Sequence, residues 1–254
     1  MSRRSEPGTA PAAAASLGLL YPGHDCAEDD FPWLMSQLSP EGSIQAEVVE
    51  TSIGEDVHTV EALTETGADW RLADGVDRLS GDVDAIVWAC TSGSFVFGWD
   101  RARAQAQRLG HHAGAPASST SLAFVHALRS LGHCRVTVAA TYPAALADRF
   151  VAFLGDAGVD VLECRPQEIF TAVAAGTVDH AGVAAMVTAA DRPDAEAILV
   201  PDTALHGVRR VDELESLVGK PVLTANQVTV WEALRLAGVV LQRSGLGRIF
   251  AAGV

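Results

Sequence analysis

The chain has 254 residues, of which 48% are hydrophobic and only 6% aromatic, and it carries a formal net charge of −14. That length and apolar content suffice for one large or two small cores, and small aliphatic side chains suit helices packed on parallel sheet better than a β-sandwich. The negative charge repels phosphate backbones and anionic lipid, which sets aside nucleic acid and membrane surfaces as partners.

Residues 1–15, rich in Ala, Pro and Ser, are expected to form a tail; Glu6 and Pro7 interrupt the signal-peptide pattern that Arg3-Arg4 opens. Beyond them, short apolar runs bounded by turn residues alternate with helical patterns. Strands are expected at 17–21, 46–50, 84–88, 135–139, 159–163, 195–200 and 221–223, with helices at 56–79, 120–131, 144–157 and 227–236. This rhythm implies an α/β fold of parallel sheets with right-handed crossovers. No run approaches the roughly 18 uninterrupted apolar residues of a membrane span.

The chain also repeats itself. Asp84-Ala-Ile-Val-Trp-Ala-Cys90-Thr91-Ser92 aligns without gaps with Glu196-Ala-Ile-Leu-Val-Pro-Asp202-Thr203-Ala204. Gly114-Ala-Pro116 followed by Ala127-Leu128-Arg129 matches Gly219-Lys-Pro221 followed by Ala233-Leu234-Arg235, and Leu20-Tyr21-Pro22 echoes Thr141-Tyr142-Pro143. The expected organisation is two pseudo-symmetric duplicated domains. The first spans 16–118 and is joined by a C-terminal helix over 227–254; the second spans 119–226. Ligands of open parallel sheets bind beyond the carboxyl ends of the strands, here in a cleft between the halves.

Cys90 and Asp202 end equivalent strands and are expected to face each other across that cleft. Backbone N–H groups of the turn after Cys90 are expected to lower its thiol pKa, making it a nucleophile or base. Asp202 is read as the opposing acid or base, against the plainer alternative of an N-cap or Asx-turn. Thr91, Ser92 and Thr203 are candidate carboxylate or oxyanion donors, and Tyr142 a candidate hydrogen bond to a substrate carboxylate, with Tyr21 as its repeat mate. His24 and Asp25 lie in a loop expected at the same rim. His206 is a candidate anion-attracting group, and Asn226 a candidate binding residue or helix cap.

The other cysteines, Cys26, Cys134 and Cys164, form no CxxC pair, and no His/Cys cluster has zinc spacing. No metal is expected, and reduced thiols in a cytoplasm are the simplest reading. With neither GxGxxG after the first strand nor a P-loop, no nucleotide or other cofactor is expected.

Ala89-Cys90-Thr91-Ser92-Gly93-Ser94, Thr203-Ala204-Leu205, Gly219-Lys-Pro-Val-Leu-Thr-Ala-Asn226-Gln227 and Trp231-Glu-Ala-Leu-Arg-Leu-Ala-Gly238 resemble the aspartate/glutamate racemase superfamily, and within it the maleate cis–trans isomerase-like branch related to arylmalonate decarboxylases. The resemblance implies cysteine catalysis without cofactor between two α/β halves, and homo-oligomers are common among similar enzymes. In maleate isomerases the first-half cysteine, matching Cys90, adds to the alkene. In arylmalonate decarboxylases a single second-half cysteine protonates the enediolate left after CO2 departs. This chain departs from the pattern in three places. Asp202 stands for the second cysteine, Asp25 for a carboxylate-binding Asn, and Ala140-Thr141-Tyr142-Pro143 for Ala-Thr-Pro-Tyr. The leading expectation is an isomerase of a small carboxylic acid carrying fewer charges than maleate. A decarboxylase with Cys90 as proton donor stands second, and a non-catalytic carboxylate-binding protein third.

Overall fold

The computed structural model describes residues 15–254. In the first half, strands β1 (Ala15–Pro22), β2 (Ile44–Thr51), β3 (Ala85–Trp88) and β4 (Ala117–Ser119) form a parallel sheet in the order β2-β1-β3-β4. In the second half, β5 (Arg135–Ala140), β6 (Asp160–Pro166), β7 (Ala197–Val200) and β8 (Val222–Thr224) repeat it in the order β6-β5-β7-β8. The shared order is the spatial form of the internal repeat. Residues 1–14 of the expected tail lie outside the described residues, and its last residue, Ala15, already pairs with Ile44 in the sheet.

Central strands β3 and β7 are buried at every position, as expected of parallel sheet covered on both faces. Edge strands β2 and β6 instead carry exposed or half-buried Glu47, Glu50, Asp160, Glu163 and Arg165, charges that discourage further pairing. Four helices cover the first half: α1 (Asp30–Leu38), α2 (Val60–Thr66), α3 (Asp69–Asp77) and α5 (Trp99–Ala113), with a single turn, α4 (Ser92–Phe95), directly after the β3 strand end. Next come α6 (Thr120–Leu131), α7 (Ala144–Asp156), α8 (Ala172–Gly176), α9 (His180–Ala189), a 3-10 turn (Val208–Arg210), α10 (Val211–Val218), α11 (Ala225–Leu236) and α12 (Arg248–Ala252). The repeated Gly-X-Pro motif has a backbone reason. Gly114 and Gly219 end α5 and α10 in left-handed conformations (φ 66° and 72°), which only glycine adopts without strain, before the chain turns into β4 and β8.

Two expectations are corrected. The helix expected over 56–79 starts at Val60 and breaks at Gly67-Ala68, where the backbone passes close to Gly93. The C-terminal segment is no single helix over 227–254: α11 stops at Leu236, Gly238 takes a left-handed φ of 69°, and only the short α12 follows. Among the described residues no helix is long and apolar enough to cross a membrane.

The halves meet through α6 and α11, which follow equivalent strands β4 and β8 and pack against each other. Thr120 and Thr229 share a 2.6 Å hydroxyl contact there, and His126 Nδ1 lies 2.7 Å from Glu232 Oε1. A second contact carries the site: Phe95 of α4 packs on Phe150 of α7 (centroids 5.1 Å), which meets Phe124 of α6 and Phe153. Burying one such ring stabilises by about 2–3 kcal/mol. The turn that follows Cys90 is thereby fixed to the opposite half.

Candidate active site

Cys90 and Asp202 leave β3 and β7 at equivalent points, and both line one cleft together with Pro22, His24, His58, Ser92 and Thr203. The cleft has about 410 Å³ of space between atoms, part of it open to solvent. A roomier surface groove, about 950 Å³ by the same measure and beside Asp69, Leu72, Arg108 and His112, is lined by no thiol.

Cys90 is 4% exposed. Its Sγ accepts from the Gly93 N–H at 3.3 Å and lies 3.8 Å from Ser92 Oγ. These are the donors that a strand-end turn implies, yet the expected lowering of the thiol pKa does not follow. Burial dominates and pushes Cys90 up to about 11, with the Asp202 charge adding to the rise and the Gly93 and Ser92 contacts only partly opposing it. Burial thus favours the neutral thiol over the thiolate.

Asp202 is 5% exposed, and both of its carboxyl oxygens are engaged. Oδ2 accepts from the Thr141 hydroxyl and Oδ1 from the Ala204 N–H at 2.9 Å. The second bond is the Asx-turn foreseen as the plainer alternative, so the turn and a place in the cleft wall coexist. Thr141 was not singled out from sequence; its position beside the shifted Tyr142-Pro143 pair was the available signal.

Both tyrosines are buried and spend their hydroxyls on backbone. Tyr142 donates to the Pro201 carbonyl, and Tyr21 reaches across the halves to the Thr203 carbonyl at 3.1 Å while accepting from the Ala27 N–H. They therefore brace the chain on both sides of Asp202. Burial holds the Tyr142 phenol well above its ordinary value, and the charges of Asp202 and Cys90 add to this. Asn226 is also a brace: its amide donates to the Thr203 carbonyl (3.2 Å), Asp30 Oδ2 (3.2 Å) and the Ala27 carbonyl (3.4 Å). Thr91 is buried beside Cys90 with no hydrogen-bond partner for its Oγ1, while Ser92 and Thr203 line the cleft.

Two candidates lie elsewhere. Asp25 is exposed, with a left-handed φ of 50° that turns it out of the cleft wall, where His24 stands instead. His206 pairs with Asp29 (2.8 Å) on the outside. Asp29, Asp30 and His206 gather within metal-ligand reach, but Arg209 pairs with both carboxylates, which makes the group an ion-pair link between the halves. Of the other thiols, Cys134 is exposed and Cys164 half-buried in β6. Cys26 turns its sulfur to the His24 and Ala172 carbonyls (3.3 and 3.5 Å), and burial pushes its pKa up to about 12.

The turn after Cys90 rests on a glycine contact. A Cβ on Gly67 would stand 2.0 Å from the Gly93 carbonyl oxygen, and the buried Gln105 amide bridges the carbonyls of Gly67 (2.7 Å) and Gly93 (3.1 Å). Gly67→Ala is expected to destabilise the fold by about 1–3 kcal/mol through overpacking. It should also speed Cys90 alkylation by iodoacetamide, as seen by mass spectrometry alongside thermal unfolding. An unchanged melting temperature with unchanged Cys90 reactivity would disprove this coupling.

The sequence pattern of the family described as Amdase, arylmalonate decarboxylase, matches residues 70–250, which include both strand ends of the cleft. The chain belongs to this family. Arylmalonate decarboxylase of Bordetella bronchiseptica is 32% identical over 140 residues, 54% of this chain and 58% of that one, so the alignment spans little more than half of that relative. Three solved structures with similar folds cover far more. A cysteine-to-alanine variant of the maleate isomerase Iso from Pseudomonas putida S16, with maleate, superposes with a TM-score of 0.85 at 21% identity, covering 94% of this chain and 98% of that one. A maleate cis-trans isomerase variant from Nocardia farcinica, holding a covalently bound succinylcysteine intermediate, gives 0.82 at 23%, covering 93% and 98%. An arylmalonate decarboxylase variant with one glycine changed to cysteine and one cysteine to serine, in the liganded form, gives 0.80 at 25%, again covering 93% and 98%. Proteins named for decarboxylation and for cis–trans isomerisation thus share this two-sheet architecture.

Proposed function

We propose that the protein is a cofactor-free decarboxylase of a small α-substituted malonic acid, with Cys90 as the proton donor. The observation that carries this reading is geometric: Cys90 is a buried thiol that shares the cleft with the fixed Asp202 carboxylate rather than with a second thiol, and its burial favours the neutral form. Decarboxylation asks for one acid. As CO2 leaves, the electron pair of the breaking C–C bond enters an enediolate; Cys90 Sγ–H gives its proton to that carbon, and solvent restores the thiol. The Ser92 hydroxyl, beside Sγ in the cleft wall, is the donor for a developing enediolate oxygen. Burial keeps the proton on sulfur, and the Asp202 carboxylate, clamped by Thr141 and Ala204, adds to this. The 32% identity to an arylmalonate decarboxylase supports the same reaction class.

This order reverses the expectation from sequence, which placed an isomerase first because Cys90 matches the first-half cysteine of the maleate isomerases it resembles. One observation still favours the isomerase: Gly93 N–H and Ser92 Oγ converge on Sγ, as donors to an attacking thiolate would. A single experiment separates the readings. In D2O, purified protein with phenylmalonate should release CO2 and yield phenylacetate carrying one deuterium on a single face. Conversion of maleate to fumarate without CO2, through an adduct on Cys90, would establish the isomerase. Neither reaction, with either acid bound, would leave a carboxylate-binding protein.

A further inference from the structure

The loop at 52–59, which the sequence placed partly inside a helix, reaches the cleft from the first half and is fixed to the second by four hydrogen bonds. The Asp56 carboxylate accepts from the N–H groups of Ala172 (2.7 Å) and Val173 (3.1 Å), the His58 N–H donates to the Phe170 carbonyl (2.7 Å), and His58 Nδ1 meets the Ile169 carbonyl (2.8 Å). Because a carbonyl only accepts, the imidazole proton sits on Nδ1, and Nε2 presents a lone pair. His58 lines the cleft, and Nε2, on the ring edge away from Ile169, has no protein partner among the described residues. Two ring contacts tie it to the neighbourhood of the thiol. The His58 ring stands edge-on against Tyr142 (centroids 5.3 Å, 85°), and Tyr142 packs on Phe95 (5.7 Å) in the turn that follows Cys90.

The rest of the lining divides by hydrogen-bonding character. Ser92 and Thr203, which follow Cys90 and Asp202, bring hydroxyl donors suited to carboxylate oxygens. Glu55, Asp56 and Asp202 are acidic, no Lys or Arg lines the cleft among the described residues, and burial keeps His24 below its ordinary pKa. Neutral donors thus stand near the thiol, an acceptor stands on the loop, and no fixed cation accompanies them. With the α-carbon of a malonic acid at Cys90 Sγ and its carboxylates on the hydroxyls, the α-substituent is the group left for the loop. An apolar substituent leaves the Nε2 lone pair unanswered, whereas an N–H or O–H group answers it. The acidic lining favours a positively charged donor over a neutral one.

We infer that His58 Nε2 sets specificity by accepting a hydrogen bond from a donor on the α-carbon of the substrate, so that malonic acids with an α-ammonium or α-hydroxyl are taken ahead of those with an alkyl or aryl group. The inference rests on the small-carboxylate reading above and names the substituent that reading leaves open. Phenylmalonate reports the reaction but gives Nε2 nothing to accept. His58 also anchors its loop, and two substitutions separate the roles. Asparagine places its amide N–H where Nδ1 sits, keeping the bond to the Ile169 carbonyl and losing Nε2. Glutamine reaches the Nε2 position with a carbonyl that accepts in its place, and loses the Ile169 bond.

The test uses three acids of nearly equal size, aminomalonate, hydroxymalonate and methylmalonate. They are titrated calorimetrically at pH 8, above the ordinary histidine range, into Cys90→Ser protein, which slows their turnover. The titrations are repeated with His58→Asn and with His58→Gln added, with folding checked by circular dichroism. With His58 present, aminomalonate and hydroxymalonate should bind at least about 10-fold more tightly than methylmalonate, the gain from one hydrogen bond at an otherwise unpaired acceptor. The order of the two donors shows whether the ammonium or the hydroxyl is preferred. His58→Asn should bring all three acids within about 3-fold of one another and leave methylmalonate where it was, while His58→Gln should keep the preference. Methylmalonate binding as tightly as the two donors with His58 present overturns the inference, as does a preference that survives His58→Asn. Equal weakening of all three acids by His58→Asn reduces His58 to a loop anchor. CO2 release is measured in parallel with Cys90 intact: the preference without CO2 would sink the decarboxylase and leave the role of His58 standing. If none of the acids binds, the carboxylate reading and the inference fall together.

Discussion

Cys90→Ser is expected to cut decarboxylation by about 10³-fold or more, within the range that a positioned acid or base contributes. The substitution changes little else. Serine fills nearly the same volume, and its oxygen offers the Gly93 N–H an acceptor in place of Sγ. Cys90 belongs to an apolar cluster with Leu20, Val49, Leu72, Ile86 and Trp88, so the added hydroxyl polarity costs about 1 kcal/mol of stability, too little to unfold the domain. A serine hydroxyl is a far weaker acid than a thiol and delivers its proton slowly to a short-lived enediolate. The measurement is CO2 release at saturating phenylmalonate, with the melting temperature as control. Turnover within about 3-fold of wild type in a folded variant would remove Cys90 from the mechanism, since proton transfer contributes far more than that.

The fold was legible wherever local pattern and tertiary burial agree. β1, β3 and β7 are runs of aliphatic residues buried on both faces, and such runs declare themselves in sequence. The gap-free match of 84–92 with 196–204 brought Cys90 and Asp202 to one cleft, because strand ends at equivalent places in two like-ordered sheets come together. β4 was illegible for the opposite reason: Ala117–Ser119 is three small residues with no apolar run, and only pairing with β3 makes them a strand. His58 belongs to no motif. It becomes a cleft residue through bonds to Ile169 and Phe170, more than a hundred positions away. Asp25 illustrates the limit of reading a loop by its neighbours, since one left-handed residue exchanges which side chain faces inward. The thiol pKa failed in sign because the turn donors are local and visible, whereas the burial that outweighs them is assembled from Leu20, Ile86 and Trp88.

That sign yields the sharpest discrimination between the two chemistries. A proton donor works only while protonated, so with Cys90 pushed up to about 11, decarboxylase activity should show no thiol-dependent loss from neutral pH to mildly alkaline pH and should fall as pH rises through about 11. A nucleophilic thiolate predicts the reverse, with activity climbing across the same range as the proton leaves. Asp202→Asn then tests the origin of the shift. Burial is its largest cause and remains in the variant, while the repulsion between the Asp202 charge and a thiolate is lost. The alkaline limb should therefore move down but stay above the free-thiol value of about 8.5. Asparagine keeps the acceptor for the Ala204 N–H through its carbonyl, while the Thr141 hydroxyl must turn to a new partner, so some stability is lost along with the charge. The measurement is kcat/KM for phenylmalonate against pH in wild type and Asp202→Asn, with circular dichroism excluding alkaline unfolding, and with the pH profile of Cys90 alkylation recorded in parallel. Matching midpoints in the two profiles, both lowered by Asp202→Asn, would tie the alkaline limb to the thiol. An activity that rises with pH while alkylation rises with it would make Cys90 a nucleophile and return the isomerase to first place.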